Sequence, residues 1–84
     1  RPARADAACQ VQTASFGGRK AVLIGEVVKG EPHFIAVQVL DGFESSMAER
    51  FMRAHAPAGA RLGEFQSKEA AVERAWQLCG AGPR

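Results

Sequence analysis

Two cysteines and two histidines are the side chains of this sequence most suited to chemistry, so their spacing comes first. Cys9 and Cys79 stand near opposite ends, and His33 and His55 each stand alone. A zinc centre usually draws its ligands from close pairs such as C-x-x-C or H-x-x-x-H, and the chain contains neither. Cysteine with histidine can also form a nucleophile–base couple, but no local signature of that chemistry surrounds either cysteine. Ser15, Ser45, Ser46 and Ser67 lack the strained G-x-S-x-G elbow that exposes a nucleophilic hydroxyl. Glu26, Glu31, Asp41, Glu44 and Glu64 fall at turns and element ends, where carboxylates are normally solvated. "FGGRK" at 16–20 has glycines and bases without the full phosphate-loop spacing or its lysine–serine/threonine pair. The chain therefore reads as non-catalytic, with no metal site and no cofactor.

The cysteines have a structural use. A small domain gains much from a bridge between its ends, and Cys9 and Cys79 bracket the part of the chain expected to fold. Closing a loop of that length is worth roughly 4 kcal/mol in the chain-entropy account. A bridge implies an oxidising compartment, periplasmic or secreted. The alternative is a pair of reduced, buried thiols acting as small hydrophobes, which is compatible with a cytoplasmic protein.

Composition bounds the rest. Eighty-four residues, 46% hydrophobic and 24% charged, describe one small globular domain. Residues 1–42 carry five bases and four acids, and residues 43–84 carry six and five, so neither half forms a basic block. No apolar run exceeds the four residues of "AVLI" at 21–24, which is too short to span a bilayer. The sequence opens on Arg1, as a processed chain would, and shows no signal peptide. "RPARADAA" at 1–8 reads as a flexible arm and 80–84 as a flexible tail, which leaves residues 9–79 as the domain.

The elements that must position any site follow from periodicity. "CQVQTASF" alternates, with Cys9, Val11 and Thr13 on one side and Gln10 and Gln12 on the other, as a half-buried strand does. Gly17-Gly18 predicts a hairpin loop into "KAVLIGEVV". That segment is apolar on both sides and belongs in the middle of a sheet covered on each face. Gly25 within it marks a bulge or a close approach by another backbone. "KGEP" at 29–32 turns into a third strand, "HFIAVQVL", completing an antiparallel meander. A helix capped by Ser46 with Glu49, or by Ser45, then places Met47, Ala48, Phe51, Met52 and His55 on one stripe. After "APAGA" at 56–60, "ARLGEF" makes a short fourth strand, and Ser67 caps a second helix. Its apolar stripe is Val72, Ala75, Trp76 and Cys79, joined by Ala71 and Leu78. The expected fold is α+β, an antiparallel three- to four-stranded sheet in the order β-β-β-α-β-α with two helices packed on it.

One phrase occurs twice. "FESSMAERF" at 43–51 and "FQSKEAAVE" at 65–73 both read Phe-x-Ser-x-x-Ala after a nearby glycine. The stretch "FIAVQVLDGFESSMAERF" with "ARLGEFQSKEAAVERAWQL" resembles the two halves of SPOR domains, which pair a strand ending in V-Q-x-G-x-F, then one ending in G-x-F-x-S, each with a helix. The matching residues are Val37, Gln38, Gly42, Phe43, Ser45 and Ala48, then Gly63, Phe65, Ser67 and Ala70. The resemblance spans residues 34–78 and implies a periplasmic module that binds peptidoglycan glycan strands, stripped of stem peptides, on a sheet face. That family orders its elements β-α-β-β-α-β, unlike the order read here.

The expected function is thus a small binding module contacting glycan or a protein partner through its sheet, with Gln10, Gln12, Gln38 and Phe43 as the candidate contacts. Two alternatives stand beside it. A meander followed by a helix opening "SKEAAVERA" is similar to the carboxyl half of a double-stranded-RNA-binding domain, where Lys68, Arg61 and Arg74 would meet phosphates. Glu64, Glu69 and Glu73 lie among those bases, as on a solvated helix face. The other alternative is an accessory or inhibitory subunit of a larger protein.

Overall fold

The computed structural model describes residues 9–79, so the expected arm over 1–8 and tail over 80–84 lie outside the described residues. Within them the chain runs β1 (Gln10–Ser15), β2 (Lys20–Val28), β3 (Glu31–Val39), α1 (Glu44–His55), β4 (Ala60–Phe65) and α2 (Lys68–Cys79). The α+β class and the element order agree with the sequence reading. The sheet does not: it is mixed, in the spatial order β1-β3-β2-β4.

The expected antiparallel meander is replaced at its first step. β2 and β3 form the hairpin, with Val28 opposite Glu31 and Lys29 and Gly30 both at positive φ (55° and 82°) between them. Positive φ at both loop positions matches the right-handed twist of the flanking strands. β1 instead lies parallel to β3, pairing Gln10 with His33 through Ser15 with Gln38. The reason lies in the apolar surface. β2 and β3 are apolar on both sides and take the two central places, leaving the outer places to half-polar β1 and β4. Gly17-Gly18 is consequently no hairpin loop. Residues 16–19 cross the end of β3, and a Cβ at Gly18 would overlap the carbonyl of Val39.

The two helices cover opposite faces of this sheet. Alternation sends Val22, Ile24, Ile35, Val37 and Val39 to one side, where they pack with Ala48, Phe51 and Ala56 in and after α1. Ala21, Leu23, Phe34 and Ala36 go to the other side and meet Ala71 and Ala75 of α2. Alanines at these contacts let each helix lie close to the strands. Leu23, Ile24, Val22, Val37 and Val39 are fully buried, each stabilising the fold by roughly 1.5–3 kcal/mol relative to exposure. Leu78, expected on the α2 stripe, is exposed because the sheet meets the side of the helix that carries Ala71 and Ala75.

Local signals differ in how well they mark element ends. Ser67 caps α2 as expected, its Oγ accepting from the Ala70 amide at 3.1 Å. Neither Ser45 nor Ser46 caps α1. The chain turns earlier, at Asp41-Gly42, where the Phe43 amide donates to the Leu40 carbonyl at 2.9 Å and Gly42 has φ 92°. Phe43 is the N-cap without a side-chain bond, and Ser46 Oγ merely donates back to the Phe43 carbonyl at 3.3 Å. β4 pairs with β2 across a bulge at Leu23/Ile24 that leaves Leu62 unpaired. Leu62 lies over Gly25, where a Cβ would come within 2.7 Å of its Cδ1, so what approaches Gly25 is a side chain and not the backbone expected there. Cys9 and Cys79 stand at disulfide distance with Cα atoms 6.0 Å apart, tying the start of β1 to the end of α2. No helix among the described residues is long and apolar enough to cross a membrane.

Candidate functional site

Strand pairing decides which polar side chains share a face. Glu26 lies opposite His33, and His33 opposite Gln10, so these three form a row across β2, β3 and β1. The next row along the sheet is Ile24, Ile35 and Gln12. Both rows belong to the face on which α1 packs. α1, however, ends at His55, and the sheet continues past it towards the Lys29–Gly30 turn. The uncovered part is a groove of about 470 Å³ floored by Gln12, Glu26, Val28, His33 and Ile35. That volume is in the range of small-ligand sites.

Phe51 and His55 make one wall of the groove, their ring centroids 4.9 Å apart at 38°. Their spacing, one helical turn, puts both rings on the same side of α1. The groove is rich in groups that both donate and accept, the Gln12 amide and the His33 and His55 imidazoles, with Glu26 as an acceptor. His33 Nε2 is buried without a hydrogen bond among the described residues, and the nearest carboxylate oxygen, Glu31 Oε1, is 3.9 Å away. An orphaned buried nitrogen costs roughly 1–3 kcal/mol. Among the described residues no lysine or arginine lines this groove.

The four candidate contacts are divided between three places. Gln10 and Gln12 share the groove side of β1, as the alternation within that strand predicts. Gln38 lies on the opposite face, paired with Ala21 and Ser15, and its Nε2 donates to the Gly18 carbonyl at 3.1 Å. It secures the crossing segment and does not form part of a shared ligand surface with Gln10 and Gln12. Phe43 sits at the far end of α1 beside a cleft of about 210 Å³ lined by Phe16, Phe43, Ser46, Met47 and Arg50. Glu26, His33 and His55 escape a strand-by-strand reading because pairing between strands and the docking of α1 bring them together. The hairpin register alone would have placed Glu26 against His33.

Two of the three bases considered for phosphate contact, Arg61 and Arg74, are engaged by other side chains. Arg61 donates to Ser45 Oγ at 2.9 Å and lies 3.9 Å from Glu64, and Arg74 donates to Gln77 Oε1 at 3.2 Å. Lys20 is held between Asp41 at 3.5 Å and Glu44 at 3.7 Å. Among the described residues no group of three or more histidine, cysteine, aspartate or glutamate side chains is arranged to hold a metal ion. The chain matches no family model, no curated protein and no solved structure.

Proposed function

We propose that this chain is a small non-catalytic binding module of an oxidising compartment, periplasmic or secreted, that holds a neutral, hydroxyl-rich ligand such as a glycan in the sheet groove. The observation that carries the reading is the Glu26–His33–Gln10 row beside Gln12, walled by Phe51 and His55 and, among the described residues, free of lysine and arginine. Sugar hydroxyls both donate and accept, as glutamine amides do, and an aromatic wall suits the apolar side of a sugar ring. The Cys9–Cys79 pair supports the compartment, since disulfides persist where the surroundings are oxidising. The resemblance to SPOR domains makes glycan strands of peptidoglycan the first ligand to try.

Pull-down on intact peptidoglycan and on strands stripped of stem peptides tests this, with Gln12→Ala and Glu26→Ala alongside. Retention of the unaltered chain and its loss in both variants is the expected result. No retention on either material removes the glycan reading. Capture by RNA that collapses as salt rises would select the nucleic-acid alternative instead.

A second reading, a protein partner, rests on the cleft at the start of α1, where Phe16 and Phe43 are 44% and 55% exposed. Partner capture abolished by Phe43→Ser, with glycan retention absent throughout, would select it.

A further inference from the structure

The sheet has two outer strands, and they are built differently. β4 carries Arg61 and Glu64 and is interrupted by the bulge at Leu62. Charges and bulges are the usual means by which an edge is kept from pairing with another chain. β1, "QVQTAS", has no charge, no proline and no bulge in its pairing with β3. Its other side pairs with nothing among the described residues.

The direction of its free groups follows from one hydrogen bond. The Phe16 amide donates to the Gln38 carbonyl at 2.8 Å, so in a parallel ladder the alternate residues Ala14, Gln12 and Gln10 also turn their peptide groups to β3. The N–H and C=O groups of Val11, Thr13 and Ser15 therefore face outward. We propose that β1 is a dimerisation edge, on which a second copy of this chain adds its own β1 antiparallel about a two-fold axis through Thr13.

Self-pairing satisfies every outward group. Val11 meets Ser15 of the other copy, Thr13 meets Thr13, and Ser15 meets Val11, all at positions that exchange hydrogen bonds. Between them Gln12 lies opposite Ala14. Opposed residues come from the same face of each copy, so the two sheets join without a flip and both grooves open on the same side. A two-fold on a charged strand would set like charges near one another, and β1 has none to oppose. Threonine pairs across strands are among the favourable ones.

Sedimentation of the whole chain over a wide concentration range, with Thr13→Lys and Thr13→Pro, tests the proposal. The unaltered chain is expected to shift from one-chain to two-chain mass as concentration rises, and both variants to stay at one-chain mass. Proline at position 13 removes an outward amide and no bond to β3, and lysine keeps every peptide group, so circular dichroism should be unchanged in at least the lysine variant. Amide exchange supplies an independent readout. The amides of Val11, Thr13 and Ser15 are expected to slow as the dimer forms, whereas those of Gln12 and Ala14 are slow throughout. One-chain mass at every concentration overturns the proposal. So does a dimer that persists in folded Thr13→Lys, or one in which the Val11, Thr13 and Ser15 amides remain fast.

Discussion

The Gln38 side-chain amide donates to the carbonyl of Gly18 at 3.1 Å, and that bond holds the segment that carries the chain from β1 over the end of β3 to β2. Gly18 is fixed from the other side by the Val39 carbonyl, which a Cβ would overlap, and its φ is 141°. Gly18→Ala is expected to destabilise the fold by about 2 kcal/mol or more, through strain and overlap together. Gln38→Ala should cost about 1 kcal/mol, the worth of one hydrogen bond. Gly17 has φ 89° but, among the described residues, no neighbour within 4 Å of a Cβ, so Gly17→Ala should cost only about 1 kcal/mol of backbone strain. Urea midpoints of the three variants give this ranking directly.

The two helix starts predict opposite outcomes for the same substitution. Ser67→Ala removes the acceptor of the Ala70 amide and should cost about 1 kcal/mol. Ser46→Ala removes only a long exposed bond to the Phe43 carbonyl and should stay within about 0.5 kcal/mol of the unaltered chain. Equal losses at both serines would contradict the helix start at Glu44.

The bridge can be followed by mass and by unfolding. Intact mass is expected to rise by a pair of hydrogens on reduction, with neither thiol alkylatable beforehand. Joining residues 70 apart in sequence, the bridge is worth about 4 kcal/mol in the chain-entropy account, and reduction should lower the urea midpoint accordingly. An unchanged midpoint would mean that packing alone holds β1 and α2 together.

Groove and crossing segment should separate cleanly in a binding assay. Gln12→Ala, at an exposed groove position, is expected to abolish retention on the glycan while shifting the unfolding midpoint by less than about 0.5 kcal/mol. Gln38→Ala is expected to do the reverse. Retention of the unaltered chain should change little between low and high salt, because an uncharged ligand releases no counterions. A steep fall with salt would point to a phosphate-bearing ligand.

What could be read from the sequence divides along the line between local and non-local information. β2 declares its central place through its own residues, since Ala21, Leu23, Val22 and Ile24 leave it no polar side. Ser67 declares a helix start in the same way. Gly17-Gly18 signals unusual backbone, and both residues do have positive φ, but a glycine pair carries no information about which strand lies alongside. That choice is made by the competition of whole strands for buried positions. The same limit applies to the candidate site. Alternation within β1 puts Gln10 and Gln12 together, whereas the face taken by Gln38 depends on a register between strands that are far apart in the chain. Ser46 is a good cap residue that goes unused because the turn at Gly42 had already begun the helix.

The Cys9–Cys79 pair, with its Cα atoms 6.0 Å apart, also changes how the domain would respond to tension. Any pull transmitted along the backbone enters at residue 9 and leaves at residue 79, and a covalent link joins those points directly. The load would bypass the sheet, its hydrogen bonds and both helices, and stretch only a single sulfur bridge. Tethered between other structures, the oxidised domain would behave as a short inextensible knot. On reduction the load would fall on the sheet and helices, and their unfolding would release the extended length of the chain between the two cysteines.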